Sequence, residues 1–213
     1  MFYNNQNYFT THFPDSEYYN SYYSFGVPAG IEENEYRPEL TLLQNKVYSS
    51  TQPSPQFLQY LRYAVYCANF ITSVRAKNGR GPVAASIGLQ YASLMKVFMM
   101  VEEDDCKNHF SQKYKINEQG LVKIFAPSQG PNNITTGVAN MGCGTGTTRD
   151  TIEKQVEAWM NSPIHKENIL NPNIKNIGVS WQFATVNGMQ KVYWSMVGTD
   201  GTLPQTPNRQ YFY

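Results

Sequence analysis

Ala158-Trp159-Met160-Asn161-Ser162-Pro163-Ile164-His165-Lys166-Glu167-Asn168-Ile169-Leu170-Asn171-Pro172 is the stretch from which the fold can be read. Ile152, Val156 and Trp159 lead into it at helical spacing, so its first part closes an amphipathic helix with Trp159 on the inward stripe. That helix is expected to begin near Asp150, whose carboxylate can accept from the free amides of the first turn, with Glu153 three residues on completing a capping box. Asn161 and Ser162, just ahead of Pro163, are the residue types that cap a chain reversal. Downstream, Ile177, Val179, Trp181 and Phe183 alternate, Asn187 and Gly188 supply the positive torsions of a tight turn, and Val192, Trp194 and Met196 alternate back. This is the pattern of an antiparallel hairpin with one buried face.

Upstream, Phe57, Leu61, Ala64, Val65, Ala68 and Ile71 recur at helical spacing, with Pro55 suited to a first turn and Gly79 to a stop. After a Gly81-Pro82 break, Ile87, Leu89, Ala92, Leu94, Met95, Phe98 and Met99 give a second helix a broad apolar face, so it should be largely buried. It ends in Glu102, Glu103, Asp104 and Asp105; these are consecutive and lack the turn glycine and spaced ligands of a calcium loop, so they read as a solvated acidic patch. Residues 111–149 show little pattern, and the Pro127 to Pro131 and Gly142 to Gly146 stretches read as loops. The order helix, helix, loop, helix, hairpin implies an α+β fold with helices segregated onto the faces of a central antiparallel sheet. Residues 1–54 are dense in Tyr, Asn, Ser and Pro without period and read as a disordered arm whose tyrosines, such as Tyr18, Tyr19, Tyr22 and Tyr23, are suited to association by stacking. The domain proper is expected to span 55–201, followed by a tail at 202–213.

At 213 residues and 41% hydrophobic content the chain is long enough for one domain with an appendage. Seventeen basic against 16 acidic residues leave a formal net charge of +1, too little to gather nucleic acid or anionic lipid by long-range attraction. No run approaches the roughly 20 apolar residues of a membrane span. Met1 to Thr11 is polar and aromatic, unlike the basic and then apolar start of a signal peptide. The expectations left open are an intracellular protein, an unconventional export route, or a natural leader not included in this sequence. Cys67, Cys106 and Cys143 form no finger-like pair, and an odd number leaves at least one thiol free unless it bridges chains, which argues against a disulfide-stapled fold. The Asn133-Ile134-Thr135 sequon carries meaning only for a secreted chain.

The run from Ala158 to Pro172 closely resembles the signature of bacterial-type CAP domains, relatives of cysteine-rich secretory proteins, venom antigens and plant pathogenesis-related proteins. The likeness continues through Ile177-Gly178-Val179 to Tyr193-Trp194, similar to the family's closing strand. Upstream, Arg75 with Gly79 is similar to its first helix, Leu89, Ala92 and Met99 to its second, and His109-Phe110-Ser111 stands where the family places its first cavity histidine. The resemblance covers about 145 residues and implies an α/β/α sandwich, an extracellular location, and a cavity or ligand-binding set of His109, His165, Asn140, Ser162 and Tyr193. There are departures. The family's glycine, glutamate, asparagine element corresponds to Gly137-Val138-Ala139-Asn140-Met141, without the cavity glutamate; Ser162 replaces a second glutamate, as in bacterial-type members; and Ser195-Met196 stands where a glutamine usually follows the closing tryptophan.

Two histidines can ligate zinc, but tight sites supply three or four protein ligands, so His109 and His165 alone would form a weak site. Cys143 in a glycine-rich stretch, with a histidine as base, is the sharpest hydrolytic candidate, yet the carboxylate best placed to orient such a base is missing. Gly142, Gly144 and Gly146 lack the lysine and hydroxyl of a phosphate loop. Cys106 and His109 make a single Cys-x-x-His pair, without the second pair a metal site needs. Trp159, Trp181 and Trp194 read as core anchors. His12 lies in the arm. The leading expectation is therefore a non-enzymatic binding or interaction module for a small hydrophobic ligand, of the sterol or fatty-acid class the resemblance implies, or for a protein partner. A weak metal-dependent or thiol hydrolase using the His109/His165 cleft is the alternative.

Overall fold

The computed structural model describes residues 55–126 and 136–201, with side chains from Ala64 onward. The tyrosine-rich arm, the C-terminal tail, the Pro127 to Pro131 stretch and the Asn133 sequon lie outside the described residues, as do the side chains of Phe57 and Leu61. Contacts divide the chain into Met1–Tyr60 and Leu61–Tyr213; the second unit carries the sheet and the site.

Helix α1 (Pro55–Lys77) buries Ala64, Cys67, Ala68 and Ile71, the i, i+3, i+4, i+7 stripe that its spacing predicts. It ends as read, on Gly79 at φ +69°. Arg80 N–H donates to the Arg75 carbonyl and Gly79 N–H to that of Ala76, the paired closure that a left-handed residue permits. A two-residue strand β1 (Ala84–Ala85) leads into helix α2 (Ile87–Glu103), buried almost throughout from Leu89 to Val97. Then come α3 (Glu118–Phe125), β2 (Gly137–Thr145), α4 (Ile152–Met160), α5 (Pro163–Ile169), β3 (Asn176–Val186) and β4 (Met189–Thr199).

The sheet order is β1-β3-β4-β2. β3 and β4 form the expected hairpin through Asn187 (φ +52°) and Gly188 (φ +76°), and β2 adds antiparallel to β4. The sheet departs from a purely antiparallel one only at its edge, where β1 runs parallel to β3. Strand alternation divides the core in two. Val179, Val192, Trp194 and Met196 meet Cys67, Ile71, Ile152, Val156 and Trp159 on one face, while Met141 and Tyr193 meet Val97 and Met100 on the other. With α1 and α4 on one side and α2 and α3 on the other, the molecule is an α/β/α sandwich. Gly178 lets α2 lie against the sheet: a Cβ there would stand 2.1 Å from the Leu89 carbonyl carbon.

Four expectations are corrected. Residues 111–149 hold a helix and a strand. α3 is only eight residues long, announced by Asn117, whose side chain accepts from Gly120 N–H at 3.0 Å. The expected glycine loop is the second half of β2, with Gly142 opposite Trp194 and Gly144 opposite Val192. Glycine has low strand propensity, and here the end of the Gln155 side chain packs into the space a Cβ on Gly142 would take, 2.4 Å away. The cap of α4 is Thr151, which accepts from Lys154 N–H, while Asp150 pairs with the Lys154 ammonium at 2.7 Å. Finally, Cys106 and Cys143 are disulfide-bonded, with Cα atoms 5.9 Å apart, leaving Cys67 as the buried free thiol. The spacing of 37 residues gave no sign of this pair, because the sheet brings them together.

Candidate functional site

The signature stretch works first on the free edge of β2. Trp159 is 1% exposed, and its indole N–H donates to the Met141 carbonyl at 2.8 Å. The Asn168 amide donates to the Ala139 carbonyl at 3.0 Å and to Asn140 Oδ1 at 2.8 Å. The fully buried Asn140 donates in turn to the His165 carbonyl at 2.9 Å. Side chains from α4 and α5 thus satisfy outward carbonyls of an edge strand that would otherwise invite pairing with another chain. Behind α5, Arg75 is buried and donates to the carbonyls of Gly81, Ile169 and Asn171; burial lowers its pKa, and the nearby Arg80 charge adds to this.

Ser162 is the N-cap of α5 and Pro163 its first residue. The Ser162 hydroxyl lies 2.9 Å from His165 Nδ1, in a local contact one turn apart. Burial lowers the pKa of His165, helped by the charges of His109 and Arg149. His109 and His165 therefore lie within electrostatic reach of each other.

His109 is positioned by groups on the other side of β2. Lys96, 1% exposed, donates its ammonium to the carbonyls of Asn108 (2.9 Å) and His109 (2.7 Å) and stands 3.3 Å from Glu118 Oε1. The same carboxylate oxygen is 3.0 Å from His109 Nδ1. His109 is half exposed while Glu118 is buried. A carboxylate from α3 thus meets His109. Neither Glu118 nor Lys96 was singled out from sequence; the readable signal was Asn117 as a cap ahead of the Leu121, Val122, Ile124 and Phe125 cluster.

The acidic run ending α2 is a hub in which every carboxylate is engaged. Glu102 accepts from the Lys113 ammonium and the Tyr114 hydroxyl, and Glu103 from the Ser111 hydroxyl and Lys113 N–H. Asp104 accepts from the Lys191 ammonium and, at 2.5 Å, the Tyr193 hydroxyl, and Asp105 from Lys107 and Asn108. The Lys191 and Tyr193 hydrogen bonds hold the Asp104 carboxyl below its usual range. Burial pushes the Tyr193 hydroxyl well up, and Asp104 adds to that. The run lies at the surface as expected, with Glu102 and Asp104 exposed and Glu103 and Asp105 partly so, and its side chains also brace the turn that carries His109.

Of the expected set, Asn140, Ser162 and His165 are brought together by direct contacts, His109 contacts Glu118 instead, and Tyr193 is spent on Asp104. Among the described residues no group of three or more His, Cys, Asp or Glu is placed to hold a metal ion. The histidines are zinc-ligand types, but two fall short of the three or four that a tight site requires. Cys143, bonded to Cys106, offers no thiolate, which removes the thiol hydrolase. No helix among the described residues is long and apolar enough to cross a membrane.

A family model described as the cysteine-rich secretory protein family, CAP, matches residues 68–197. No curated protein matches the sequence. Among solved structures, an outer surface protein from Borrelia burgdorferi is similar at 14% identity and a TM-score of 0.49, over 64% of this chain and 91% of that one. An extracellular protein containing an SCP domain from Bacillus anthracis str. Ames is similar at 14% identity and a TM-score of 0.48, over 75% and 49%. The CAP domain of Enterococcal PrgA gives 14% identity and a TM-score of 0.44, over 90% and 92%.

Proposed function

The chain belongs to the CAP, or cysteine-rich secretory protein, family, and from that premise we propose that it is a non-enzymatic binding module whose cleft lies between His109 and His165. One observation carries this reading: the parts of a hydrolytic relay are divided between two imidazoles. His109 contacts the Glu118 carboxylate, and His165 contacts the Ser162 hydroxyl. In a relay of the Ser-His-Asp kind the nucleophile, its base and the acid that orients the base act in line on one histidine. Here the imidazole with the acid has no hydroxyl or thiol partner among the described residues, and the imidazole with the hydroxyl has no acid. Phe110 and Ile164, next in sequence to the two histidines, are 42% and 74% exposed, which favours an apolar ligand of the sterol or fatty-acid class, or a protein partner, over a polyanion. An extracellular setting fits the family and the disulfide.

Lipid extraction by the purified protein, repeated with His109→Ala and His165→Ala and paired with zinc calorimetry on all three, tests this. The expected result is ligand uptake weakened in both variants, with any zinc binding weak and lost in either. Ester or peptide hydrolysis that disappears in His165→Ala would overturn it.

A further inference from the structure

The chain holds two Asn-Gly sequences, Asn78-Gly79 and Asn187-Gly188. A glycine that follows asparagine has no side chain to shield its backbone nitrogen, and that nitrogen can attack the neighbouring side-chain amide. The glycine nitrogen gives its proton to water or hydroxide and bonds to the asparagine Cγ, the Cγ–Nδ2 bond breaks, ammonia leaves, and a succinimide ring closes. Water then opens the ring at either carbonyl. One opening gives aspartate, the other isoaspartate, in which the main chain runs through the former side chain.

Both sequences are exposed, so access does not separate them. Hydrogen bonding does. At the end of α1 both reacting groups are held: Asn78 Nδ2 donates to the Val74 carbonyl at 2.8 Å, and Gly79 N–H donates to the Ala76 carbonyl at 3.0 Å. The first bond turns the side chain back along the helix, and the second occupies the attacking nitrogen. At the hairpin tip the ladder closes on Val186 opposite Met189. A two-residue turn with positive φ at both positions is closed by those flanking residues, which leaves the Gly188 N–H outside the ladder. A Cβ built on Gly188 would meet nothing within 4 Å, so water reaches the reacting groups.

We propose that Asn187 is a site of spontaneous covalent modification, at which the side-chain amide is lost through Gly188 to give aspartate and isoaspartate, while the hydrogen bonds at the end of α1 protect Asn78. Aspartate tolerates the left-handed backbone and keeps the turn. Isoaspartate adds a carbon to the main chain of the turn, so Val186 and Met189 lose their register and the tip frays, whereas β4 from Lys191 inward stays held by β2.

The test incubates the full chain in mildly alkaline buffer, folded and in guanidinium, and follows both sites by peptide mapping with mass spectrometry that separates aspartate from isoaspartate. The denatured sample gives the rate that each local sequence has by itself. Relative to those rates, Asn187 should convert in the folded protein about fivefold to tenfold faster than Asn78, as expected where a hydrogen bond must open first. In the isoaspartate fraction the Met189 amide should exchange with solvent faster than in the parent. Equal relative rates at the two sites, or an Asn187 that converts only in guanidinium, would overturn the proposal. Unchanged exchange at Met189 would overturn the fraying of the tip.

Discussion

His165 is the residue on which the proposed cleft can be tested. Its pKa is lowered first by burial and then by the charges of His109 and Arg149. In an NMR titration its imidazole should therefore titrate below the ordinary value near 6.5, and in His109→Ala the midpoint should rise part of the way back. An unmoved midpoint would mean that the histidines do not share a cleft. Asp104 gives a second prediction at this scale. Its folded pKa lies below the reference of 3.8, so the unfolded chain binds more protons in that window. The stability Asp104 contributes is present above its unfolded pKa and is lost as pH falls through the lower folded one. Asp104→Asn should lower the thermal midpoint at neutral pH and converge with the parent in strong acid. Thermal melts across the acid range check this, and a gap that stays constant with pH would refute the assignment.

At the scale of elements, α4 and α5 act as a clamp on the edge of β2. Trp159→Ala removes a fully packed side chain and the donor to the Met141 carbonyl, and should cost about 3–5 kcal/mol. Asn168→Ala orphans the Ala139 carbonyl and Asn140 Oδ1 and should cost about 1–3 kcal/mol. Because both lie on one strand edge, their effects in a denaturant-unfolding cycle should be coupled and not additive. Stability equal to the parent in either variant would mean that the signature stretch serves a ligand and not the strand.

At the scale of the whole molecule, residues 1–54 carry few aliphatic side chains, too few to offset the ordering entropy of their backbone, so removing them should leave a single cooperative unfolding transition, followed by circular dichroism; loss of that transition would place the arm in the core. The sequence by itself determined the elements that carry their own period or turn chemistry. α1, α2, α4 and the hairpin follow from apolar spacing, Gly79 and the Asn187-Gly188 turn, and Trp159 was legible as an anchor. Local pattern failed where a neighbour dictates the residue. Gly142 is a strand residue because β2 pairs it with Trp194, Thr151 stands at the cap of α4 while Asp150 pairs with Lys154, and Cys106 meets Cys143 only once β2 is in place in the sheet. The histidines could be named from sequence, since the residues around them carry the signature. What holds them could not: Glu118 reaches His109 from another helix, and Lys96 reaches both from inside α2. The Ser162 contact of His165 is a one-turn spacing within α5, but contacts between elements have no spacing rule in the chain, so only the packed sandwich decides that His109 meets a carboxylate.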